Sequence, residues 1–230
     1  MNFLDLIYPK KCVNCRKFGD YLCADCFVKI QYNDINYCTV CSRPNLENHK
    51  HFGDSKRGKL DQIWTITVYN TVAKKLIFNL KNSPNLTKLA EIISDVMIEG
   101  LIQNELFYKF LDKYNPVVIP IPLHKKRFNQ LGYNHAELLA SHVAKYFRLK
   151  NDNKLIIRTK ETKFQKDLDK LQRFENLKNA FEVDKQFKIP ECVILVDDTA
   201  GSFHTMNEAS RVLKEKGVRI VVGIVFTKEK

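Results

Sequence analysis

Residues 193–217 read VILVDDTAGSFHTMNEASRVLKEKG, an apolar run followed by two acids, a loop of small residues and a helix pattern. The apolar run is typical of a buried strand that ends at Asp197 and Asp198. Thr205 and Glu208 have the spacing of a capping box, so we expect Thr205 to be the N-cap of the helix. The loop then opens onto a helix N-terminus, where exposed amides and the helix dipole favour an anion.

The chain from residue 60 onward alternates strand and helix patterns. Strand patterns occupy 62–70, which we interpret as a strand pair or hairpin element, and 115–122, 154–159, 192–196 and 219–227. Helix patterns occupy 71–81, 85–103 and 136–147. This alternation predicts an α/β fold, with a mostly parallel sheet flanked by helices, over residues 60–230.

Polar loops follow two strands of this predicted sheet. One carries Asp197 and Asp198, and the other carries the basic run Lys125, Lys126 and Arg127. Because ligands bind outside the carboxyl ends of parallel strands, we expect both loops to face one crevice. A basic run is commonly a solvated surface feature, and its place after a strand end also suits contact with phosphate groups.

Six of the seven cysteines form three C-x-x-C pairs near the start of the chain, namely Cys12 and Cys15, Cys23 and Cys26, and Cys38 and Cys41. Seven residues separate the first two pairs, and four such thiolates fill a closed tetrahedral zinc shell. The alternatives are a redox dithiol or an iron–sulfur cluster. A redox motif would normally be a single pair, and the spacings match no common cluster pattern. We therefore predict a structural Zn2+ site.

The third pair suggests a second metal site. Cys38 and Cys41 are followed, after seven residues, by His49 and His51. A Cys2His2 set is chemically sound, although its H-x-H spacing is tighter than usual. The alternative is one zinc with a leftover pair, and the residues leave both open. Metal binding would supply the folding energy of this cysteine-rich module, which we assign to residues 1–52.

The composition limits the class of protein. Hydrophobic residues make up 44% of the chain, which argues against intrinsic disorder. The net charge of +12 favours polyanions or phosphorylated ligands, or it reflects a generally basic proteome. The sequence has no signal-peptide pattern and no apolar run of about 20 residues that could span a membrane. We therefore expect a cytoplasmic protein with reduced thiols.

The order of strand, acids, loop and helix resembles the signature of type I phosphoribosyltransferases. That signature consists of three apolar residues, two aspartates, two further residues and then Thr-Thr-Gly-x-Thr. Aligned without gaps, the acids at 197–198 match the two aspartates and Thr205 matches the last threonine. Residues 201–202 fall on the Thr-Thr positions, and Phe203 falls on the glycine.

Two other stretches resemble ComF/GntX-type proteins. Residues 120–140 (PIPLHKKRFNQLGYNHAELLA) are similar to P-L-x-x-x-R-x-x-x-R-G-F-N-Q in that family, which usually has glutamine where this chain has His135. Residues 164–183 are similar to Q-x-x-L-x-x-x-x-R-x-x-N-x-x-x-A-F, through Gln165, Leu168, Arg173, Asn176, Ala180 and Phe181. A cysteine-rich head before a phosphoribosyltransferase body is the architecture of that family. The resemblance covers nearly the whole chain and implies a type I phosphoribosyltransferase-like fold.

The resemblance implies a ligand and roles for particular residues. The ligand is phosphoribosyl pyrophosphate with Mg2+, and Asp197 and Asp198 would hold its ribose and help hold the metal. The loop before the helix would bind the 5′-phosphate, and the basic run would bind the pyrophosphate. The residues expected to bind this ligand are Thr199, Ala200, Gly201, Ser202, Thr205, Lys125, Lys126 and Arg127.

Phe203 conflicts with this role, because phosphate loops need exposed amides and little side-chain bulk. A phenylalanine that points away is compatible with binding if Gly201 makes the turn instead. ComF-type proteins are associated with natural transformation, in which single-stranded DNA enters the cytoplasm. The resemblance therefore leaves two functions open: a binder or enzyme of phosphoribosyl pyrophosphate, or an inactive scaffold that binds single-stranded DNA and other DNA-uptake proteins. Phe128 and Tyr133, near the basic run, could stack on bases in the second case, or simply pack.

Overall fold

A computed structural model describes residues 10–45, 59–82, 86–161, 177–184 and 186–229. Its strands are β1 (Gln62–Thr67), β2 (Val117–Pro120), β3 (Lys150–Asn151), β4 (Ile156–Arg158), β5 (Phe181–Val183), β6 (Cys192–Ala200) and β7 (Ile220–Lys228). Its helices are α1 (Ala24–Phe27), α2 (Thr71–Asn82), α3 (Leu86–Ile102), α4 (Glu105–Lys113), α5 (Lys125–Leu131), α6 (His135–Tyr146) and α7 (His204–Glu215).

Five strands form one sheet in the order β1-β7-β6-β2-β3. Every neighbouring pair in this sheet is parallel, which confirms the predicted α/β fold. The first five residues of β6 and most of β7 are buried and apolar on both faces, as expected for strands covered by helices on both sides. In register, Pro120 of β2 lies beside Val196 of β6, so the loops that follow these two strands emerge at the same edge.

Helices cover both faces of the sheet. Ile194 and Ile224 face one core with side chains of α2, α3, α4 and α6. Leu195 and Val225 face a second core with side chains of α7, β4 and β5. A Cβ at Gly223 would lie 2.8 Å from the sulfur of a methionine in α7. This glycine therefore allows α7, the helix that follows the acidic pair, to pack closely against β7.

The segment 62–70 is not the strand pair or hairpin that its pattern suggested. It contains one strand, β1, which pairs with β7 at the edge of the sheet. The Asn70 side chain accepts hydrogen bonds from the amides of Val72 and Ala73, at 3.1 and 3.0 Å. Asn70 therefore starts helix α2 soon after the strand, and too few residues remain for a second strand. The predicted strand at 154–159 exists as β4, but it pairs antiparallel with β5 outside the main sheet.

The cysteine-rich module packs directly on the α/β body. Tyr32 forms an antiparallel bridge with Thr67 at the outer edge of β1. Val13 and Ile30 of the module are buried in the same core as α2 and α3. The domain boundaries at 52 and 60 remain a prediction. Among the described helices, none combines the length and apolarity needed to cross a lipid bilayer.

Candidate ligand site and metal centre

Four cysteine thiols converge in the N-terminal module. Sulfur atoms that lie within 4.8 Å of one another belong to Cys12, Cys15, Cys23 and Cys26. The Cys15 and Cys23 sulfurs are 3.6 Å apart, close to the separation of about 3.8 Å that tetrahedral Zn–S bonds of about 2.3 Å require. The donor set and its geometry therefore fit the structural Zn2+ site predicted from the spacing.

Hydrogen bonds to Cys12 favour the thiolate form that binds zinc. Burial acts to raise the pKa of the Cys12 thiol, but hydrogen bonds from nearby backbone amides, chiefly that of Cys15, lower the pKa to about 6. The Asn14 side chain donates to the Cys26 sulfur at 3.2 Å. The Cys12 sulfur is thus held ready as a thiolate, whereas burial and hydrogen bonds with the neighbouring thiols raise the pKa of Cys23 to about 12.

The third cysteine pair occupies the same kind of turn as the first. In residues 11–18 and in residues 37–44, the outer residues form an antiparallel bridge. In both turns the first cysteine donates its amide to a carbonyl five residues on, and its carbonyl accepts from an amide four residues on, each at 2.9 Å. The residue after the second cysteine has a positive φ in each case, 69° at Arg16 and 61° at Ser42. The third pair is therefore shaped like a metal knuckle.

The histidine half of the predicted second site, His49 and His51, lies outside the described residues. Of the four ligands expected at this site, the structure describes Cys38 and Cys41. The histidine ligands remain a prediction.

The acidic pair lies towards the carboxyl end of the central strand β6, but the strand continues beyond it. Thr199 and Ala200 pair with Thr227 and Lys228 of β7. The expectation that Thr199 and Ala200 belong to the phosphate loop is wrong, because the long strand β7 keeps the backbone of β6 extended. The loop between β6 and α7 therefore contains only residues 201–203.

A lysine from another helix contacts the acidic pair. Lys81, in the last turn of α2, has its Nζ 2.9 Å from Oδ2 of Asp198 and 3.4 Å from Oγ1 of Thr199. Thr199 Oγ1 also donates to Asp198 Oδ1 at 3.1 Å. Burial acts to lower the pKa of Lys81, but the Asp198 and Asp197 carboxylates raise it. A protonated ammonium therefore compensates the charge of the buried Asp198.

Lys81 carried no signal in the sequence that would mark it as a site residue. A lysine near a helix C-terminus is common, because it complements the helix dipole, and no local pattern connects it with a distant strand. Only the packing of α2 against the sheet brings this side chain to the acidic pair.

The two acids differ in environment. Burial and the neighbouring Asp198 carboxylate raise the pKa of Asp197 to about 7, although the charges of Lys81 and Arg158 act to lower it. Arg158, at the end of β4, was also missed from the sequence, and its guanidinium carbon lies 5.5 Å from the centre of the Phe181 ring. The environment of Asp197 thus favours its neutral form more than that of a solvated carboxyl.

The loop before α7 takes its turn at Phe203. This residue has φ 48° and ψ 6° and is the N-cap of a helix that begins at His204. Its side chain is only 2% exposed and lies in the core beneath the loop. The turn is therefore made by Phe203 itself, in the left-handed conformation, and the alternative of a turn at Gly201 is not needed to direct the ring away from the loop. Such a conformation costs about 1–2 kcal/mol, and burial of a phenylalanine offsets this with about 1.5–3 kcal/mol.

The predicted capping box is also wrong. Thr205 is the second residue of the helix, and the N-cap Phe203 provides no side-chain cap. The Glu208 carboxylate instead accepts a hydrogen bond from the Asn179 amide at 2.7 Å and pairs with Arg211 at 2.7 Å. The N-terminus of α7 therefore has no cap from its own N-cap side chain, and such a terminus can bind an anion.

The space above this loop is open. A Cβ added at Gly201 would meet no atom within 4 Å. Among the described residues, the buried Oγ of Ser202 has no hydrogen-bond partner. The open space at Gly201 suits an approaching phosphate, and the Ser202 hydroxyl would have to rotate towards the surface to donate to it.

The basic run lies on the first turn of α5, at the same edge of the sheet as the acidic pair. Lys125, Lys126 and Arg127 are all exposed. Lys126 pairs with Glu161 at 2.9 Å, and Arg127 donates to Gln130 at 3.4 Å. Their part in a ligand site remains a prediction, and the cation that pairs with Asp198 comes from α2.

His135, the first residue of α6, is influenced electrostatically by both Arg127 and Asp198. Its Nε2 is buried and has no hydrogen-bond partner among the described residues. Burial lowers the pKa of His135, while the Asp198 carboxylate acts to raise it. The preceding Asn134 caps α6 and donates to the carbonyl of Ile121 at 3.0 Å, which holds the start of α6 close to the end of β2.

Part of the second ComF-like stretch can be placed. Gln165, Leu168, Arg173 and Asn176 lie outside the described residues. Ala180 and Phe181 are buried in the core beneath α7, so these two residues of the ComF-like stretch help to build the core.

Comparison with known proteins identifies relatives along the whole chain. Residues 3–56 match the family model of the double zinc ribbon domain. The chain is 29% identical to competence protein F of Haemophilus influenzae, over 95% of each chain. It is 25% identical to the DNA utilization protein YhgH of Escherichia coli strain K12, over 94% of this chain and 96% of that protein.

These matches agree with the geometry of the molecule. The residues matched by the double zinc ribbon include the four-cysteine cluster and the turn of Cys38 and Cys41, here called the second cysteine knuckle. Both relatives extend through the α/β body. The chain is therefore a homologue of competence protein F along nearly its whole length and carries a double zinc ribbon in its N-terminal part, which confirms its resemblance to the ComF-type proteins.

Proposed function

We propose that this protein acts in DNA uptake during natural transformation, and that its α/β body binds phosphoribosyl pyrophosphate with Mg2+. The names of the two relatives, competence protein F and DNA utilization protein, support the first part. The second part rests on one observation. Asp197 and Asp198 lie at the carboxyl end of the central strand, shortly before an open loop and a helix N-terminus.

The arrangement suits the two halves of a sugar phosphate. Carboxylates of Asp197 and Asp198 would accept hydrogen bonds from the ribose hydroxyls. The amides that begin α7, with the hydroxyls of Ser202 and Thr205, would bind the 5′-phosphate. The exposed cations of residues 125–127 would meet the pyrophosphate at the rim.

Lys81 adds a cation to this proposal. Its ammonium pairs with Asp198 at 2.9 Å. The phosphates of a ligand at the acidic pair would compete for the Lys81 ammonium, and its Mg2+ would compete for the Asp198 carboxylate. Lys81 would then contact phosphate oxygens, and Asp198 would become available to the ribose or the metal.

The acidic pair also fits the proposed metal. Mg2+ binds carboxylate oxygens and usually keeps several waters together with substrate phosphates. Asp197 and Asp198 provide such oxygens in the strand β6. When bound, Mg2+ would neutralise charge that develops on a departing pyrophosphate.

A calorimetric titration of phosphoribosyl pyrophosphate, with and without Mg2+, tests this proposal. We expect saturable, Mg2+-dependent binding that is lost in the Asp197→Asn/Asp198→Asn double variant. Glu191→Gln is the matched control, because Glu191 is an exposed acid that precedes β6 at its opposite end. Loss of binding in the control, or equal binding by the double variant, would contradict the proposed site.

A second function is supported by Phe203 at the glycine position and by Asp198 held in an ion pair. Both features suit a phosphoribosyltransferase fold kept as a scaffold, and the net charge of +12 suits single-stranded DNA. Binding to DNA would weaken steeply with salt, whereas binding of the sugar phosphate would depend on Mg2+. A salt series with an oligonucleotide therefore separates the two functions.

A further inference from the structure

The second cysteine knuckle lies against the loop before α7. Tyr37, the residue before Cys38, packs its ring edge-on against Phe203, with the ring centres 6.3 Å apart and the planes at 62°. The ammonium of Lys228 lies over the same Tyr37 ring, 5.1 Å from its centre. Lys228 pairs with Ala200 in the sheet. Tyr37 thus contacts the loop through Phe203 and the strand β7 through Lys228.

Asn207, in the first turn of α7, connects the same elements by hydrogen bonds. Its Nδ2 donates to the carbonyl of Thr39 at 2.5 Å and to the carbonyl of Phe203 at 3.2 Å. Its Oδ1 accepts from the amides of Lys59 and Leu60, at 3.1 and 3.2 Å. One amide side chain therefore joins the knuckle, the start of the α/β body and the loop.

Thr39 lies inside the knuckle, between Cys38 and Cys41. It is 5% exposed, and its hydroxyl donates to the carbonyl of Leu60 at 3.0 Å. The position of Thr39 is therefore set on one side by the two cysteines and on the other by the body. A change in the knuckle would move the carbonyl that Asn207 binds.

We propose that the Cys38–Cys41 knuckle positions the anion-binding loop, with Tyr37 and Asn207 as the residues that transmit its position. The left-handed conformation of Phe203 is unfavourable by itself and persists only where surrounding contacts hold it. Tyr37 and the bond from Asn207 to the Phe203 carbonyl supply such contacts, in addition to the core beneath the ring. A metal held by the knuckle keeps them in place, because zinc ribbons gain their folding energy from the metal.

The first cysteine cluster contacts a different part of the body. The carbonyl of Asn14 accepts from Lys75 of α2 at 2.8 Å, and Val13 lies in the core on the opposite face from Phe203. The four-cysteine cluster and the second cysteine knuckle thus contact different parts of the body. The coupling to the loop belongs to the second cysteine knuckle.

The effect on ligand affinity rests on the proposed function, so two measurements are needed. The first is calorimetric binding of phosphoribosyl pyrophosphate with Mg2+ to the zinc-loaded full chain. We expect Asn207→Ala and Tyr37→Ala to weaken binding about tenfold or more, and Tyr37→Phe, which keeps the ring, to retain the original affinity. Tyr32→Phe is the control, because it removes a hydrogen bond from the module to Glu99 on another side of the interface.

The second measurement does not need a ligand. Hydrogen exchange of the amides in residues 201–207 is compared between the original chain and the Cys38→Ser/Cys41→Ser and Tyr37→Ala variants. We expect at least about tenfold faster exchange in both variants, with the central strands β6 and β7 unchanged. Unchanged exchange in residues 201–207 contradicts the coupling.

The two measurements separate the possible failures. If the original chain binds no phosphoribosyl pyrophosphate but the variants exchange faster, the coupling stands and the proposed function fails. If the original chain binds and every variant binds equally well with unchanged exchange, the proposed function stands and the coupling is overturned. Faster exchange throughout β6 would mean global destabilisation, and it would also overturn the specific role given to the knuckle.

Discussion

The Nζ of Lys81 lies 2.9 Å from Oδ2 of Asp198, and the two side chains come from distant parts of the chain. The Asp198 side chain is 6% exposed and that of Lys81 is 37% exposed. A carboxylate so deeply buried needs a compensating charge. The pair therefore stabilises the fold and also holds the acid that we propose for ligand binding.

Replacing Lys81 with methionine should destabilise the protein. The change leaves Asp198 without its cation, and we expect a loss of about 1–3 kcal/mol in the free energy of unfolding, less than for a fully buried pair because Lys81 is partly solvated. Urea denaturation measures this loss. Adding Asp198→Asn to the variant should recover most of it, and simple additivity of the two substitutions would show that the pair contributes nothing.

Asp197 should make stability depend on pH. Burial and the Asp198 carboxylate raise its pKa to about 7, so the folded state favours the protonated carboxyl. The stability from this preference is fully present below the unfolded pKa of about 4 and is lost as the pH rises through the folded pKa. The gain in melting temperature of Asp197→Asn over the original chain should therefore be larger at pH 8 than at pH 5, in metal-free buffer. A difference that is equal at both pH values would contradict the environment assigned to this acid.

Phe203 should be worth more to stability than the glycine that the resemblance places there. Phe203→Gly removes a buried ring, which costs about 3–5 kcal/mol for large core side chains, and regains about 1 kcal/mol at a left-handed position. We expect a net loss of about 2–4 kcal/mol in chemical denaturation. Equal stability of the two proteins would mean that the ring contributes little to the core.

The N-terminal module should bind two zinc ions if His49 and His51 complete the second site as predicted. Elemental analysis of the purified chain should then give about two zinc ions per chain, with one lost in Cys38→Ser/Cys41→Ser and one lost in His49→Ala/His51→Ala. Retention of both ions by the histidine variant would exclude these histidines as ligands. A single ion in the original chain would support the alternative of one zinc with a leftover pair.

The main features of the fold could be predicted from the sequence, because they depend on local patterns. Apolar runs separated by helix patterns indicated the parallel sheet, and the C-x-x-C spacing indicated the sulfur cluster. The acids of residues 197–198 could likewise be placed near a strand end. Each of these features is encoded in a short stretch of neighbouring residues.

The features that were missed or predicted wrongly depend on contacts between distant residues. The strand β6 runs on through Ala200 because β7 is long enough to pair with it. The capping box failed because Glu208 binds the Asn179 amide and an arginine of α7 instead. Phe203 can adopt a turn suited to glycine because its ring packs in the core and against the second knuckle. Lys81 reaches the acidic pair only through the packing of α2.

The most direct test of the central claim is a crystal structure of the chain with phosphoribosyl pyrophosphate and Mg2+. We expect a ribose whose hydroxyls lie within hydrogen-bond distance of Asp197 or Asp198, a 5′-phosphate at the start of α7, and Lys81 displaced from Asp198. Crystals grown with the ligand at saturating concentration that keep the Lys81–Asp198 pair, with no ligand at residues 201–203 or with the ligand bound elsewhere, would contradict the proposed site.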